Sequence, residues 1–172
     1  WRPLGDSHEY WTGVQASGVA GSVMDNIEAY YWNEAATRFG GAACVDGLLK
    51  FSNVHHNARY GFGYGCQVAE ATAAIIGCLM DYNRHCITAE RDYPISQYDA
   101  WFNEFGEHCL IGQAIDIHGG NDVSNPAVPA GGSFKVHHNT FKTVTGYPTW
   151  PPTPGRLRGV PQIGSASWRV RG

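Results

Sequence analysis

Leu48-Leu49-Lys50-Phe51-Ser52-Asn53-Val54 sets a pattern that three later stretches repeat. They are Ala73-Ala74-Ile75-Ile76-Gly77-Cys78-Leu79, Tyr98-Asp99-Ala100-Trp101-Phe102-Asn103-Glu104 and Phe134-Lys135-Val136-His137-His138-Asn139-Thr140. With Asn as the phase marker and Cys78 replacing it once, the steps from 53 to 78 and from 78 to 103 are each 25 residues. The step from 103 to 139 is 36, the same period with an eleven-residue insertion, and Asn26 in Val23-Met24-Asp25-Asn26-Ile27 lies 27 before Asn53. A fixed period of this size marks one supersecondary unit laid on the next.

Each repeat holds a short β-branched or aromatic run closed by Asn or Gly, then a second short run, then a Gly- or Pro-rich turn. Gly65-Cys66-Gln67-Val68, His85-Cys86-Ile87-Thr88 and Gln113-Ala114-Ile115-Asp116-Ile117 are such second runs. No segment carries a long apolar pattern at helical spacing, so the units are built of strands. Coils of two or three strands, stacked about 4.8 Å apart, put like residues side by side in parallel sheets. The expected structural ladder is Asn26, Asn53, Cys78, Asn103 and Asn139, each amide bonding its neighbours above and below and holding a tight turn.

Val54-His55-His56-Asn57-Ala58-Arg59-Tyr60-Gly61-Phe62-Gly63-Tyr64-Gly65, Asp81-Tyr82-Asn83-Arg84-His85, Ala114-Ile115-Asp116-Ile117-His118-Gly119 and Val136-His137-His138-Asn139-Thr140-Phe141 also carry a resemblance. They resemble the right-handed parallel β-helix repeat family, which shares the pectate-lyase-like superfold. The likeness implies an all-β, right-handed parallel β-helix of six to seven coils, about 25 residues per coil, from about Tyr10 to the C-terminus. It specifies fold more than function, because that superfold carries lyases, hydrolases, epimerases, phage spikes and surface proteins.

A chain of 172 residues suits one domain, 1–172. Charged residues at 16%, with 22 Gly and 13% aromatics, fit stacked strands with tight corners. Lys occurs only at Lys50, Lys135 and Lys142 and the formal net charge is -3, which argues against a nucleic-acid partner. No run is long enough for a membrane-spanning helix. The chain begins at Trp1 without Met, so either a leader has been removed or it is a piece of a longer protein.

The 5 Cys match no CxxC spacing, so thiolate zinc is not expected. Cys66, Cys86 and Cys109 fall near the second run of their repeats and suggest an inward cysteine column. A disulfide between neighbouring coils is open if the compartment is oxidising. Gly119 to Gly132 has turn composition throughout, and Tyr147 to Gly155 holds four Pro, so projecting loops are expected at 119–132 and 147–155. Leu157 to Val170 reads as a last, less regular coil. With no amphipathic capping helix at either end, exposed coil ends imply self-association, continuation of the chain, or loops that shield them.

Chemistry-bearing candidates form three groups. Asp116 and His118, two apart on a strand, share a face beside the Gly-rich insertion, with Asp81, Arg84 and His85 one coil earlier. Carboxylate, imidazole and Arg together would suit a uronate-processing acid/base site; the competing reading is that they satisfy turn and strand-end backbone groups. The pairs His55-His56 and His137-His138 should each offer one ligand at most, since neighbours on a strand point to opposite faces. No metal site is therefore assigned, and calcium has only Asn121, Asp122 and Asn125 without a recognisable spacing. A stripe of Met24, Phe51, Ile76, Trp101 and His137 is core if it faces inward and a sugar- or chain-binding face if it faces outward. With the Tyr30-Tyr31-Trp32 cluster, it makes Trp101, Phe51, Tyr30 and Trp32 the candidate binding residues.

Two functions follow. One is an extracellular or cell-surface β-helix scaffold, associating end to end or holding polysaccharide along one sheet face. The other is a polysaccharide lyase or glycoside hydrolase with its site around Asp116 and His118. An enzyme needs those side chains to converge in a groove; a scaffold needs an accessible face or end.

Overall fold

The structure, a computed structural model, describes residues 10–59, 61–90, 95–109, 114–117 and 131–142. Its first coil runs through β1 (Thr12–Ser17), β2 (Val23–Asp25) and β3 (Glu28–Tyr30), its second through β4 (Ala35–Gly40), β5 (Gly47–Lys50) and β6 (Asn53–His55). β7 (Tyr64–Ala69), β8 (Thr72–Ile76) and β9 (Leu79–Asp81) make the third; β10 (His85–Ala89), β11 (Gln97–Trp101) and β12 (Glu104–Phe105) make the fourth. β13 (Ile115–Ile117), β14 (Ser133–His137) and β15 (Thr140–Phe141) follow. The strands sort into three parallel sheets of five, in the orders β1-β4-β7-β10-β13, β2-β5-β8-β11-β14 and β3-β6-β9-β12-β15. The chain is a parallel β-helix, and no helix occurs among the described residues.

The described residues wind about four turns, not six to seven. One step takes 36 residues instead of 25, and Leu157–Val170, expected as a closing coil, lies outside the described residues, as do the 147–155 loop and most of 119–132.

Alternation along each strand decides what is buried. β8 and β11 both read intermediate, buried, intermediate, buried, intermediate, because successive side chains leave opposite faces. Inward columns are Met24-Leu49-Ile75-Ala100 in the second sheet, Ala29-Val54-Met80-Phe105 in the third and Phe39-Val68-Ala89-Ile117 in the first, all buried. Each full-sized apolar side chain so placed stabilises the column by roughly 1.5–3 kcal/mol.

The ladder is real, but its register corrects the expected one. Equivalent residues are separated by 25, 26, 25 and 36 positions, so Asn53 stands over Leu79, not Cys78, and is exposed. The stacked column beneath the second sheet is Ile27, Ser52, Cys78, Asn103 and Asn139; Asn26 and Asn53 each lie one place off it. Within it, each polar side chain accepts from the backbone of the coil before: Ser52 Oγ from Ile27 N (3.2 Å), Asn103 Oδ1 from Cys78 N (2.9 Å) and Asn139 Oδ1 from Asn103 N (2.9 Å). Asn103 Nδ2 donates to Ile75 O at 2.8 Å, and Asn139 Nδ2 to Ala100 O at 2.8 Å.

A second ladder, absent from the sequence reading, closes the corner after the third sheet. Asn57 Oδ1 accepts from Trp32 N (3.0 Å), Asn57 Nδ2 donates to Asn83 Oδ1 (2.8 Å) and Asn83 Nδ2 to Val54 O (2.9 Å). Both amides are fully buried, so removing one would strand backbone groups away from water.

Candidate functional site

The two ladders fix the residue just before them in the left-handed region. After the second sheet these are Asn26, Phe51, Gly77, Phe102 and His138, with φ between 50° and 62°; after the third they include Tyr31, His56 and Tyr82 at 63°, 57° and 53°. A left-handed conformation costs an ordinary side chain about 1–2 kcal/mol, and only one of these positions is Gly. Gly77 is needed there, since Phe51 folds over it and a Cβ on it would come 2.9 Å from that ring.

The first of these corners carries an apolar ridge. Phe51 and Phe102 are 61% and 64% exposed, and Leu79, just past the corner, is 52% exposed. Ile76 and Trp101 project beside them from the outer face of the second sheet, in the column Asp25-Lys50-Ile76-Trp101-His137. The expected stripe therefore faces outward where Ile76, Trp101 and His137 stand. Met24 is core and Phe51 is a corner residue, by the same one-place slip that displaced Asn53. Trp101 stacks on His137 with centroids 5.7 Å apart and planes 8° apart, so it offers solvent its edge more than its face.

Beside the ridge, the same sheet face holds a depression of about 380 Å³ lined by Asp46, Thr72, Ala74, Gln97, Asp99 and Lys135 among others. Small Ala74 leaves room in it, and Thr72 and Gln97 bring a hydroxyl and an amide to its lining, the Thr72 Oγ1 accepting from Asp46 N at 2.9 Å. Of its charged lining, Asp99 holds His137 Nε2 at 2.9 Å and Lys135 Nζ at 3.8 Å, and Asp46 adds a second carboxylate.

The other sequence candidates are scattered. Tyr30 stacks on His55 at the corner after the third sheet (5.3 Å, 2°), and Trp32 packs against the core over Gly13, so neither joins Trp101 and Phe51. Asp81 belongs to that corner as well: its carboxylate holds His108 Nδ1 at 3.0 Å and His108 N at 2.8 Å. The rings of Tyr31, His56, Tyr82 and His108 follow one another up that edge, the last two 4.1 Å apart.

Asp116 does meet His85, on the outer side of the first sheet. His85 Nε2 lies 3.2 Å from Asp116 Oδ2, and a bulge in which Cys86 N and Ile87 N both bond Ala114 O (2.7 and 3.1 Å) turns His85 outward. Arg84 donates to Gly61 O (2.7 Å) and Tyr64 OH (2.9 Å), and the Tyr64 ring stacks on His85. Burial pushes the Tyr64 phenol up, with Arg84 opposing it. His85 is 1% and Asp116 7% exposed, so this pair is sealed from solvent. His118, Asn121, Asp122 and Asn125 lie outside the described residues.

Each His pair departs from strand alternation. His56 and His138 sit at positive φ, which swings them beside their neighbours: His55 Nδ1 is 2.7 Å from His56 Nδ1, and His137 Nδ1 is 2.8 Å from His138 Nδ1. The pairs occupy different corners, and His55 Nε2 meets Glu28 Oε1 at 3.1 Å. Among the described residues no group of three or more His, Cys, Asp or Glu could hold a metal ion. Nor is any helix there long and apolar enough to cross a membrane.

The sequence singles out Trp101 and Phe51, which lie on this outer face and at its corner, but not Phe102, Leu79 or the depression beside them. The available signal was the aromatic residue standing immediately before the ladder position in two coils. No family model matches the chain, and neither the curated proteins nor the solved structures provide a match.

Proposed function

We propose that this protein is an extracellular β-helix surface module that holds a polysaccharide along the outer face of its second sheet. The observation that carries this reading is the pair Phe51 and Phe102, large apolar rings kept on exposed left-handed positions. Such residues cost stability twice, through backbone strain and through apolar surface left in water. A binding role gives that cost a purpose. The depression beside them supplies hydroxyl- and amide-bonding groups for a sugar, and its charged lining, two carboxylates (Asp46, Asp99) to one ammonium (Lys135), favours a neutral glycan over a uronate.

Affinity electrophoresis and calorimetry against neutral and acidic glycans test it. The expected result is binding to a neutral chain, weakened about tenfold or more by Trp101→Ala or Phe102→Ala. A folded protein that binds no glycan in such a panel sinks the proposal. The alternative, a lyase or hydrolase site around Asp116 and His118, has the weaker support, because Asp116 meets His85 in a pair sealed from solvent and not in an open groove. It predicts released reducing ends or unsaturated products, abolished by Asp116→Asn.

A further inference from the structure

We propose that Cys86 and Cys109 join as a disulfide that staples the start of β10 to the segment following β12. Their Sγ atoms lie 3.3 Å apart, and both residues are fully buried. Bonded sulfurs stand about 2 Å apart, so closing the bond asks for a shift of little more than an ångström. Among the described residues this is the one contact between cysteine sulfurs, and Cys78 and Cys66 are differently engaged. Cys78 Sγ faces Ile76 O at 3.5 Å and Cys66 bonds Thr37.

Cys66 and Cys78 are also poor nucleophiles. Burial pushes Cys66 up to about 12 and Cys78 up to about 11, leaving almost no thiolate at neutral pH. The Cys86 thiol is raised in the folded state too, by burial and then by Cys109 itself, so the bond closes during folding, before the corner seals.

The chemistry balances with a small-molecule disulfide, such as oxidised glutathione, as oxidant. One cysteine thiolate attacks it, forms a mixed disulfide and expels one thiol. The second cysteine thiolate then attacks the protein sulfur of that intermediate and expels the second thiol. One S–S bond is broken and one formed, two protein thiols are oxidised, and one disulfide is reduced to two thiols.

The staple has a structural consequence. Cys86 occupies the bulge that aims His85 at Asp116, so tying it to the next coil locks that bulge in place. It also suits an oxidising compartment, which the extracellular reading requires, yet stands without the glycan proposal.

The test is oxidative refolding with a glutathione couple, followed by alkylation in denaturant and peptide mapping. The expected outcome is three alkylated cysteines, Cys44, Cys66 and Cys78, with the tryptic peptide His85–Arg91 linked to the one containing Cys109. The thermal midpoint should stand several degrees higher than in excess reductant. Cys86→Ser should give four alkylated cysteines and lose that redox-dependent shift, whereas Cys44→Ser should keep it. Five alkylated cysteines after oxidative refolding of the wild-type chain, or a linkage between other cysteines, would overturn the proposal without need of any variant.

Discussion

The outer faces of the first and second sheets start from the same backbone and end in opposite states. In the first, the outward column Arg38-Gln67-Thr88-Asp116 is tied down: Arg38 bridges Glu34 (3.5 Å) and Glu90 (3.1 Å), while Gln67, Thr88 and Asp116 are buried. In the second, the outward column Val23-Leu48-Ala74-Asp99-Lys135 is open, and its polar groups border a depression. Polar residues on a sealed face are held by their cost, since losing a partner leaves a buried group stranded, as Gln67 Oε1 and Arg38 Nε already are. On an open face water substitutes for any lost partner, so residue choice there is free to serve a ligand.

The largest effect should come from breaking the sealed face. Asp116→Ala leaves His85 buried without its carboxylate and should lower unfolding free energy by about 3 kcal/mol in urea titration. Asp99→Ala, whose partner Lys135 is mostly exposed, should cost less than about 1 kcal/mol. Equal losses at the two positions would mean that the faces differ in appearance only.

The corner beneath the second sheet gives the next test. Asn103→Ala orphans Cys78 N and Ile75 O and should cost about 2 kcal/mol. Asn53→Ala, on an exposed position, should stay within about 0.5 kcal/mol. If Asn53 proved the costlier site, the register found here would be wrong.

That contrast shows what was legible in the chain. Periodicity and the absence of helical patterning were enough for a parallel β-helix, because stacking forces like residues to recur. A single 26-residue step was not legible, and a one-place slip exchanges inside for outside in every strand it touches. So Asn53 was placed in the ladder and Met24 in the stripe, whereas Cys78, Asn103 and Asn139 were placed correctly. The left-handed corners were hidden for another reason. Phe51, Tyr31, Tyr82 and Phe102 are not residues that announce positive φ; the side-chain ladders hold them there, and among these corners Asn26 and Gly77 carry the usual mark. Spacing alone puts His85 one coil before Asp116, but their direct contact depends on a bulge that no spacing rule supplies.

The strained ridge separates stability from binding. Phe102→Asn keeps a residue tolerant of positive φ and removes an exposed ring, so unfolding free energy should rise by about 0.5–1 kcal/mol. Glycan affinity should fall in the same variant. A variant that loses stability would show the ring to be packing, and the open face would then need another explanation.

The smallest effect belongs to the other corner and concerns pH. Burial, and then the neighbouring His55, lower the His56 pKa, while Asp81 opposes them and His108 adds to them. Its ring lies against Tyr82, 4.4 Å between centroids, with Tyr31 on the other side. In the unfolded chain His56 titrates near about 6.5. Above that pH both states are neutral and the contribution is fully present. As pH falls through it, the unfolded chain takes up the proton first, so stability declines until the folded pKa is passed. Urea midpoints should therefore drop between about pH 7.5 and pH 5, and drop less in His56→Gln. An identical drop in that variant would assign the acid sensitivity to a group other than His56.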